Sequence, residues 1–283
     1  MKTSIIVLCY NSSKYIGKLV ESIYEYNDSD TIEIIVADNA STDDTVSEIK
    51  KLKNRVKFVD NGENYGFAKG INLASKHATG DYLLFVNPDT RWQKGTVADL
   101  VSVMESRVSI GIVGGKLLDK NGVNEKSAGR FFGLIAGVLI AFGLDDKFGV
   151  RFSPDRTQKV DFVSGGFMMI RSSLFKKLLG FDEKFFMYVE DMELCFRAKM
   201  GEYTTYFTPD AELFHEAHAS GSRGFAIQNI IKGILYFHKK HGTLFSYFIL
   251  KTLFMLKAVV LVSAGKLLNN KYLSETYSQA LII

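Results

Sequence analysis

Short β-rich runs alternate with stretches of helical periodicity through the first hundred residues, and that alternation constrains the fold more than any other feature. The runs fall at residues 4–9, 32–37, 56–59, 82–86 and 110–113 and are dominated by Ile, Val, Leu and aromatic side chains. Helix candidates lie between them at 14–25, 43–52, 67–76 and 95–105, with Ser41 or Thr42 as N-cap of the second. Such an order predicts an α/β fold, a mostly parallel sheet flanked by helices. With 283 residues, 47% of them hydrophobic, the chain can bury one large core or a core with an appendage. After residue 114 the pattern changes. A Gly-rich apolar stretch covers 131–144, and a strand at 160–163 runs through Ser164, Gly165 and Gly166 into 167–171. A helix follows over 191–200, then two short extended segments at 204–208 and 212–214.

In an open α/β sheet the ligand sits beyond the carboxyl ends of the strands, so the residues there are the first candidates for function. The first strand ends in Tyr10 and Asn11, the second in Asp38 to Asp43, and the fourth in Asn87-Pro88-Asp89-Thr90. Each of these segments also reads as ordinary turn and cap chemistry. No glycine-rich turn follows the first strand, which argues against a dinucleotide fold, and no Gly-Lys-Ser/Thr follows any strand, which argues against a P-loop. Phosphate handling then falls to a divalent metal. A single strand-tip carboxylate suffices for magnesium, which completes its shell with water and phosphate oxygens.

Seven segments in order, IIVLCYNSSKYI, IIVADNASTDDT, NGENYGFAKGINLA, GDYLLFVNPDT, VSGGFMMIRSSLF, GFDEKFFMYVEDMELCFRAKMGEY and FHEAHASGS, resemble the motifs of family 2 glycosyltransferases. The likeness is narrowest to the rhamnosyltransferase-like branch and runs from about residue 3 to 221. It implies a GT-A-like nucleotide-diphospho-sugar transferase fold. It further implies a nucleoside-diphosphate sugar donor, Mg²⁺ or Mn²⁺ as cofactor, and inversion at the transferred sugar. On this resemblance Tyr10, Asn11 and Asp38 contact the nucleoside, while Asn64, Gly66, Phe67 and Asn72 belong to the loop and helix that close over the donor. Asp89 is the metal ligand with His215 beside it, His218 being the alternative histidine. Asn87 stands where many relatives carry a second Asp. Asp191 is the expected catalytic base, with Gly165, Gly166 and Glu190 on the acceptor side. The implied donor is dTDP-L-rhamnose, with UDP-hexoses as the alternative, and the implied acceptor is a lipid-linked or growing cell-surface polysaccharide. A catalytically inactive nucleotide-sugar-binding scaffold is the reading from outside enzymology. A processive synthase would carry Gln-x-x-Arg-Trp, and the sole tryptophan, Trp92, is not in that setting.

From Arg223 onward the chain holds eight Lys or Arg against one acid, a local charge of +7 in a protein whose total is +4. That excess sits in an apolar tail, which points to an anionic membrane surface and not to nucleic acid. The expected organisation is therefore a transferase domain over 1–222 and a membrane-surface tail over 223–283. Residues 244–264 could span a bilayer by length. Lys251 and Lys257 interrupt them, and each central lysine would cost about 2.5–3.5 kcal/mol on insertion. A helix lying in the interface fits better, with an ordinary buried helix as the alternative. The two widely separated cysteines and the lack of a signal-peptide pattern place the protein on the cytoplasmic side of that membrane.

Overall fold

A computed structural model of the chain describes residues 1–216 and 222–280. The elements run β1 (Thr3–Cys9), α1 (Ile16–Tyr26), β2 (Ile32–Asp38), α2 (Thr45–Lys51), β3 (Lys57–Asp60), α3 (Gly66–Ser75), β4 (Tyr82–Val86), β5 (Thr90–Lys94), α4 (Val97–Glu105) and β6 (Ile110–Leu118). The second half adds β7 (Ala128–Gly129), α5 (Leu134–Ala141), β8 (Arg151–Phe152), β9 (Gln158–Val160), β10 (Phe162–Val163), β11 (Phe167–Arg171), α6 (Ser172–Lys177), α7 (Glu190–Met200) and β12 (Thr204–His215). Three helices close the described chain, α8 (Arg223–His241), α9 (Leu244–Leu267) and α10 (Lys271–Ala280).

The described residues gather into two compact units. The first holds residues 1–129, 151–186 and 190–216; the second holds 130–150, 187–189 and 222–280. The second thus takes in the apolar stretch around α5 as well as the basic tail. In the first unit, nine strands form one sheet in the order β3-β2-β1-β4-β11-β6-β12-β5, with β9 also paired to β12. The pairs β1–β2, β1–β4, β2–β3 and β6–β12 are parallel; β11, β5 and β9 run antiparallel to their neighbours. Because β2 and β3 lie on one side of β1 and β4 on the other, the chain reverses its winding at β1. A ligand crevice opens at the carboxyl ends of strands at such a point. Register holds the tips level there, with Cys9 opposite Asp38.

Burial explains why these elements form. Ile5, Ile6 and Val7 of β1 are all fully buried, as expected for a central strand covered on both faces. Helix α1 buries Ile16, Leu19, Val20 and Ile23, an i, i+3, i+4, i+7 stripe. Trp92 on β5 packs edge-on against Phe167 of β11 with ring centroids 5.5 Å apart, and its Nε1–H donates to the Gly95 carbonyl at 2.7 Å.

The second half departs most from the sequence reading: the strand expected at 160–163 is two, β9 and β10, in different sheets, and β7, β8 and α6 are additional elements. Strand β5 was not expected, because only Thr90 and Trp92 of its five residues turn inward and the rest read as polar loop. The two segments expected at 204–208 and 212–214 are one strand, β12, whose register shifts between Phe207 and Glu212. Pro209 lies within that shift and has no N–H to give the ladder. Neither Ser41 nor Thr42 caps α2: the Asp43 carboxylate accepts from the Thr45 N–H at 3.0 Å, and Ser41 is engaged elsewhere.

Gly114 and Gly115 of β6 leave room for β10 and β11. A Cβ on Gly115 would lie 2.0 Å from the Phe167 ring. Gly115→Ala is therefore expected to cost about 1–3 kcal/mol of unfolding free energy through overpacking, read by urea titration. A variant as stable as the parent would contradict this account of the sheet centre.

Candidate active site

Hydrogen bonds tie the tips of β1 and β2 together. Asn11 adopts a left-handed backbone (φ 52°). Its N–H donates to Ser41 Oγ at 2.8 Å, and its Oδ1 accepts from the Thr42 N–H at 2.8 Å. Asp38 is buried, and its carboxylate accepts from both the N–H and the hydroxyl of Ser41. Tyr10 is exposed beside this frame. The three residues expected at the nucleoside thus lie at one corner of the sheet.

The adjoining loop is built from amides. Asn64 Oδ1 accepts from the Gly66 N–H at 3.1 Å, and Asn39 Nδ2 donates to the Gly66 carbonyl at 2.9 Å. Asn61 Nδ2 in turn donates to Asn39 Oδ1 at 2.8 Å. Asn39 is fully buried and links the β2 tip to the start of α3, a tertiary role that strand-end position alone does not reveal. Gly66 has φ +75°, and a Cβ there would collide with the Phe186 carbonyl, which accepts from the Phe67 N–H at 2.7 Å. Only glycine suits that position. Asn72 uses both ends of its amide on the Phe181 backbone, at 2.9 Å each, and so fastens α3 to the chain before α7.

Asp191 stands in the first turn of α7. Its Oδ2 accepts from the Gly165 N–H at 3.0 Å and its Oδ1 from the Met192 N–H at 2.7 Å. The next peptide, Gly166, accepts the Asn87 N–H at 3.1 Å through its carbonyl. Two consecutive glycines therefore connect Asp191 to the β4 tip that carries Asp89. Both are bare for a reason: a Cβ on Gly165 would press on Phe67 and Asp191, and one on Gly166 would lie 2.8 Å from the Asn87 amide. Burial raises the Asp191 carboxyl above the usual range, although the Gly165 and Met192 N–H groups and the charge of Arg151 act against it. Glu190 is buried more deeply, and burial together with the Asp191 charge pushes it well above the usual range. Its Oε2 has no hydrogen-bond partner among the described residues. The chain enters α7 through Tyr188 and Val189, both left-handed, which is a strained conformation for a β-branched residue.

Asp89 is buried at the β4 tip and holds His215, the last residue of β12, with Nε2 3.2 Å from Oδ1. The other ring nitrogen lies 3.0 Å from Glu125 Oε2. Burial alone would lower the His215 pKa, but the two flanking carboxylates more than offset it and push it up to about 10. Glu125 was not foreseen. His218 lies outside the described residues. Among those residues no group of three potential ligands converges on one point. Asp89 and His215 offer one oxygen and one nitrogen donor side by side, a set that a divalent ion could use once binding has displaced the proton His215 holds. Water and diphosphate oxygens would complete the ion's shell.

Known proteins resemble the chain in sequence and in fold. The model of glycosyl transferase family 2 matches residues 4–179. N-acetylglucosaminyl-diphospho-decaprenol L-rhamnosyltransferase of Mycobacterium tuberculosis is 25% identical over 237 residues, covering 77% of each chain. The rhamnosyltransferase WbbL of Escherichia coli K12 is 27% identical over 226 residues, 76% of this chain and 83% of that one. The mannosyltransferase PcManGT of Pyrobaculum calidifontis, solved with GDP-Man and Mn²⁺, superposes with a TM-score of 0.62 at 18% identity, over 99% of this chain and 86% of that one. The architecture is GT-A-like, as the sequence motifs implied.

The buried Glu190 generates a pH test. Its folded pKa lies above the ordinary glutamate value of about 4, so its contribution to stability is present below that value and is lost as pH rises through the folded pKa. Glu190→Gln removes this loss. Denaturant midpoints of variant and parent should draw apart in favour of the variant as pH rises across the window. A constant difference at every pH would contradict the burial of an ionisable group there.

Proposed function

The chain belongs to glycosyl transferase family 2, and on that premise we propose that it transfers a sugar from a nucleoside-diphosphate donor to an acceptor hydroxyl in one inverting displacement. The observation that carries the reading is the Asp191 carboxylate, aimed by the Gly165 N–H and raised by burial towards the range useful to a general base. Asp191 accepts the acceptor's hydroxyl proton as the acceptor oxygen forms its bond to the anomeric carbon. The bond from that carbon to the diphosphate breaks on the opposite face, and its electron pair leaves with the nucleoside diphosphate. A bound Mg²⁺ or Mn²⁺ supplies charge neutralisation for that leaving group. Asp89 and His215 would hold the ion, and Glu125 fixes the His215 ring from its far side.

For the donor side, Tyr10, Asn11 and Asp38 receive the nucleoside, and the Asn64–Phe67 loop with Asn72 behind it closes over the diphosphate-sugar. Gly165, Gly166 and Glu190 line the acceptor side. The names of the M. tuberculosis and E. coli relatives support rhamnose as the transferred sugar, and that of the M. tuberculosis relative supports a lipid-linked acceptor; the donor would then be dTDP-L-rhamnose and the acceptor a lipid-linked or growing cell-surface polysaccharide. The protein works on the cytoplasmic side, with its basic C-terminal helices on the inner face of the membrane; the +7 charge from Arg223 onward supports that placement.

Asp191→Asn keeps the shape and the capping capacity of the residue and removes its basicity. It should lower kcat by about 10²–10⁴-fold while leaving donor affinity and Tm near those of the parent; Glu190→Gln should affect the rate less. An active Asp191→Asn beside a dead Glu190→Gln would move the base by one residue. Asp89→Ala should abolish the Mn²⁺-dependent part of donor binding, read by thermal shift across a panel of nucleotide-sugars with and without Mn²⁺. Unchanged metal dependence would remove Asp89 from the metal site. Donor binding without transfer to any acceptor would favour the scaffold reading.

A further inference from the structure

Helix α9 has 24 residues and an apolar composition that would let it cross a bilayer on length and composition alone. Its packing points elsewhere. Ser246, Leu250, Phe254, Ala258 and Gly265 are buried and recur at intervals of four and seven, so they form one stripe. Within the second unit this stripe meets α5, α8 and α10. A Cβ on Gly137 of α5 would lie 2.8 Å from Leu250, and one on Gly265 would lie 2.7 Å from the Ser274 backbone of α10. His238 of α8 bonds Ser246 Oγ through Nδ1 at 3.0 Å and the Phe132 carbonyl through Nε2 at 2.8 Å. One side of α9 is therefore occupied by protein, including α10, whose Lys271, Glu275 and Ser278 are exposed to water.

The opposite side is apolar and open. Phe245, Phe248, Leu256, Val259 and Val260 are 50–70% exposed. On a wheel of about 100° per residue they share one arc with Thr252, Met255 and Ser263, and no charged residue enters that arc before Lys266. Lys251 and Lys257, which break the apolar run in sequence, lie outside that arc: Lys251 borders the buried stripe and Lys257 falls within it. Both are half-buried. Lys251 Nζ stands 6.0 Å above the Tyr247 ring, and Lys257 is lowered by burial, with Asp145 near enough to act on it electrostatically. Exposed lysines gather at the two ends: Lys239 and Lys240 before the helix, Lys266 and Lys271 at its close.

We propose that α9 lies in the plane of an anionic lipid surface, inserting its Phe248–Val259 face, with the lysines at its ends contacting head groups and Lys251 and Lys257 turned towards the protein. An apolar arc with basic ends matches the chemistry of an interfacial helix on anionic lipid. A second copy of the chain fits less well, because pairing the same face in either direction sets basic ends against basic ends. The inference deepens the membrane placement proposed above and is independent of the transfer chemistry.

Trp92, the only native tryptophan, is buried at 1% exposure, so tryptophans introduced on α9 can be read above a protected background. The full chain carrying Phe248→Trp, Val259→Trp or Lys257→Trp is mixed with phosphatidylcholine vesicles containing phosphatidylglycerol and brominated acyl chains. The two outward tryptophans should shift to the blue and be quenched; the one at position 257 should be neither. Lys266→Gln with Lys271→Gln should weaken vesicle binding, read by sedimentation, about thirtyfold, whereas Lys251→Gln should leave it within about twofold. Quenching at all three positions would indicate a span and overturn the proposal. So would vesicle binding with position 259 unquenched, which would leave membrane placement standing through another surface. Absence of binding to anionic vesicles would sink both, and a Val259→Asp variant that only converts a dimer to monomer would assign the face to a second copy. Sugar transfer to a water-soluble acceptor, measured on the same variants, reports separately on the catalytic reading.

Discussion

The hydrogen bond from the Gly165 N–H to Asp191 Oδ2 organises the proposed chemistry, because it joins elements that are distant in the chain. Asp191 belongs to α7 and Gly165 to the turn before β11, while Gly166 is bonded to Asn87 after β4. A carboxylate in the first turn of a helix is stabilised by the helix dipole wherever that helix sits. What distinguishes Asp191 is that a backbone donor from another element sets the direction of its lone pairs. The arrangement tolerates no side chain on either glycine without moving Phe67, Asn87 or Asp191 itself. Stiffness at this point is useful for catalysis, since a base misplaced by about 1 Å loses much of its effect.

Electrostatics separates the carboxylates around the strand tips by environment. Asp38 is satisfied by Ser41, and Asp89 faces an imidazole held at its far side by Glu125. Asp191 and Glu190 share a buried corner where burial raises both carboxyls and the Asp191 charge raises Glu190 further. Carboxylates close in sequence or space thus sit in different environments, one bonded by a neighbouring serine, one against an imidazole and one raised by burial, which suits the separate tasks proposed for them.

Local chemistry made part of this legible in the sequence. Asp89 follows a strand of five buried residues, and Asp191 opens a helix, so their positions follow from patterns within a few residues. Strand β5 was hidden because its outward residues are polar, and β12 looked like two pieces because Pro209 interrupts its ladder. Asn39 and Glu125 were beyond reach for a different reason. Glu125 meets His215 across 90 residues of chain, and Asn39 acts on Gly66 through tertiary contact. No local periodicity encodes such pairs. In α9, the sequence shows two lysines interrupting an apolar run, but only packing decides which side of the helix faces protein.

The central claim, that burial and the Gly165 N–H together make Asp191 the base, is tested most directly by the pH dependence of kcat for the unaltered enzyme with saturating donor and acceptor. The account predicts activity lost on the acid side with a midpoint above the ordinary aspartate value, because protonation of a raised carboxyl removes the base. An acid limb at or below the ordinary aspartate range, or a rate indifferent to pH there, would contradict it.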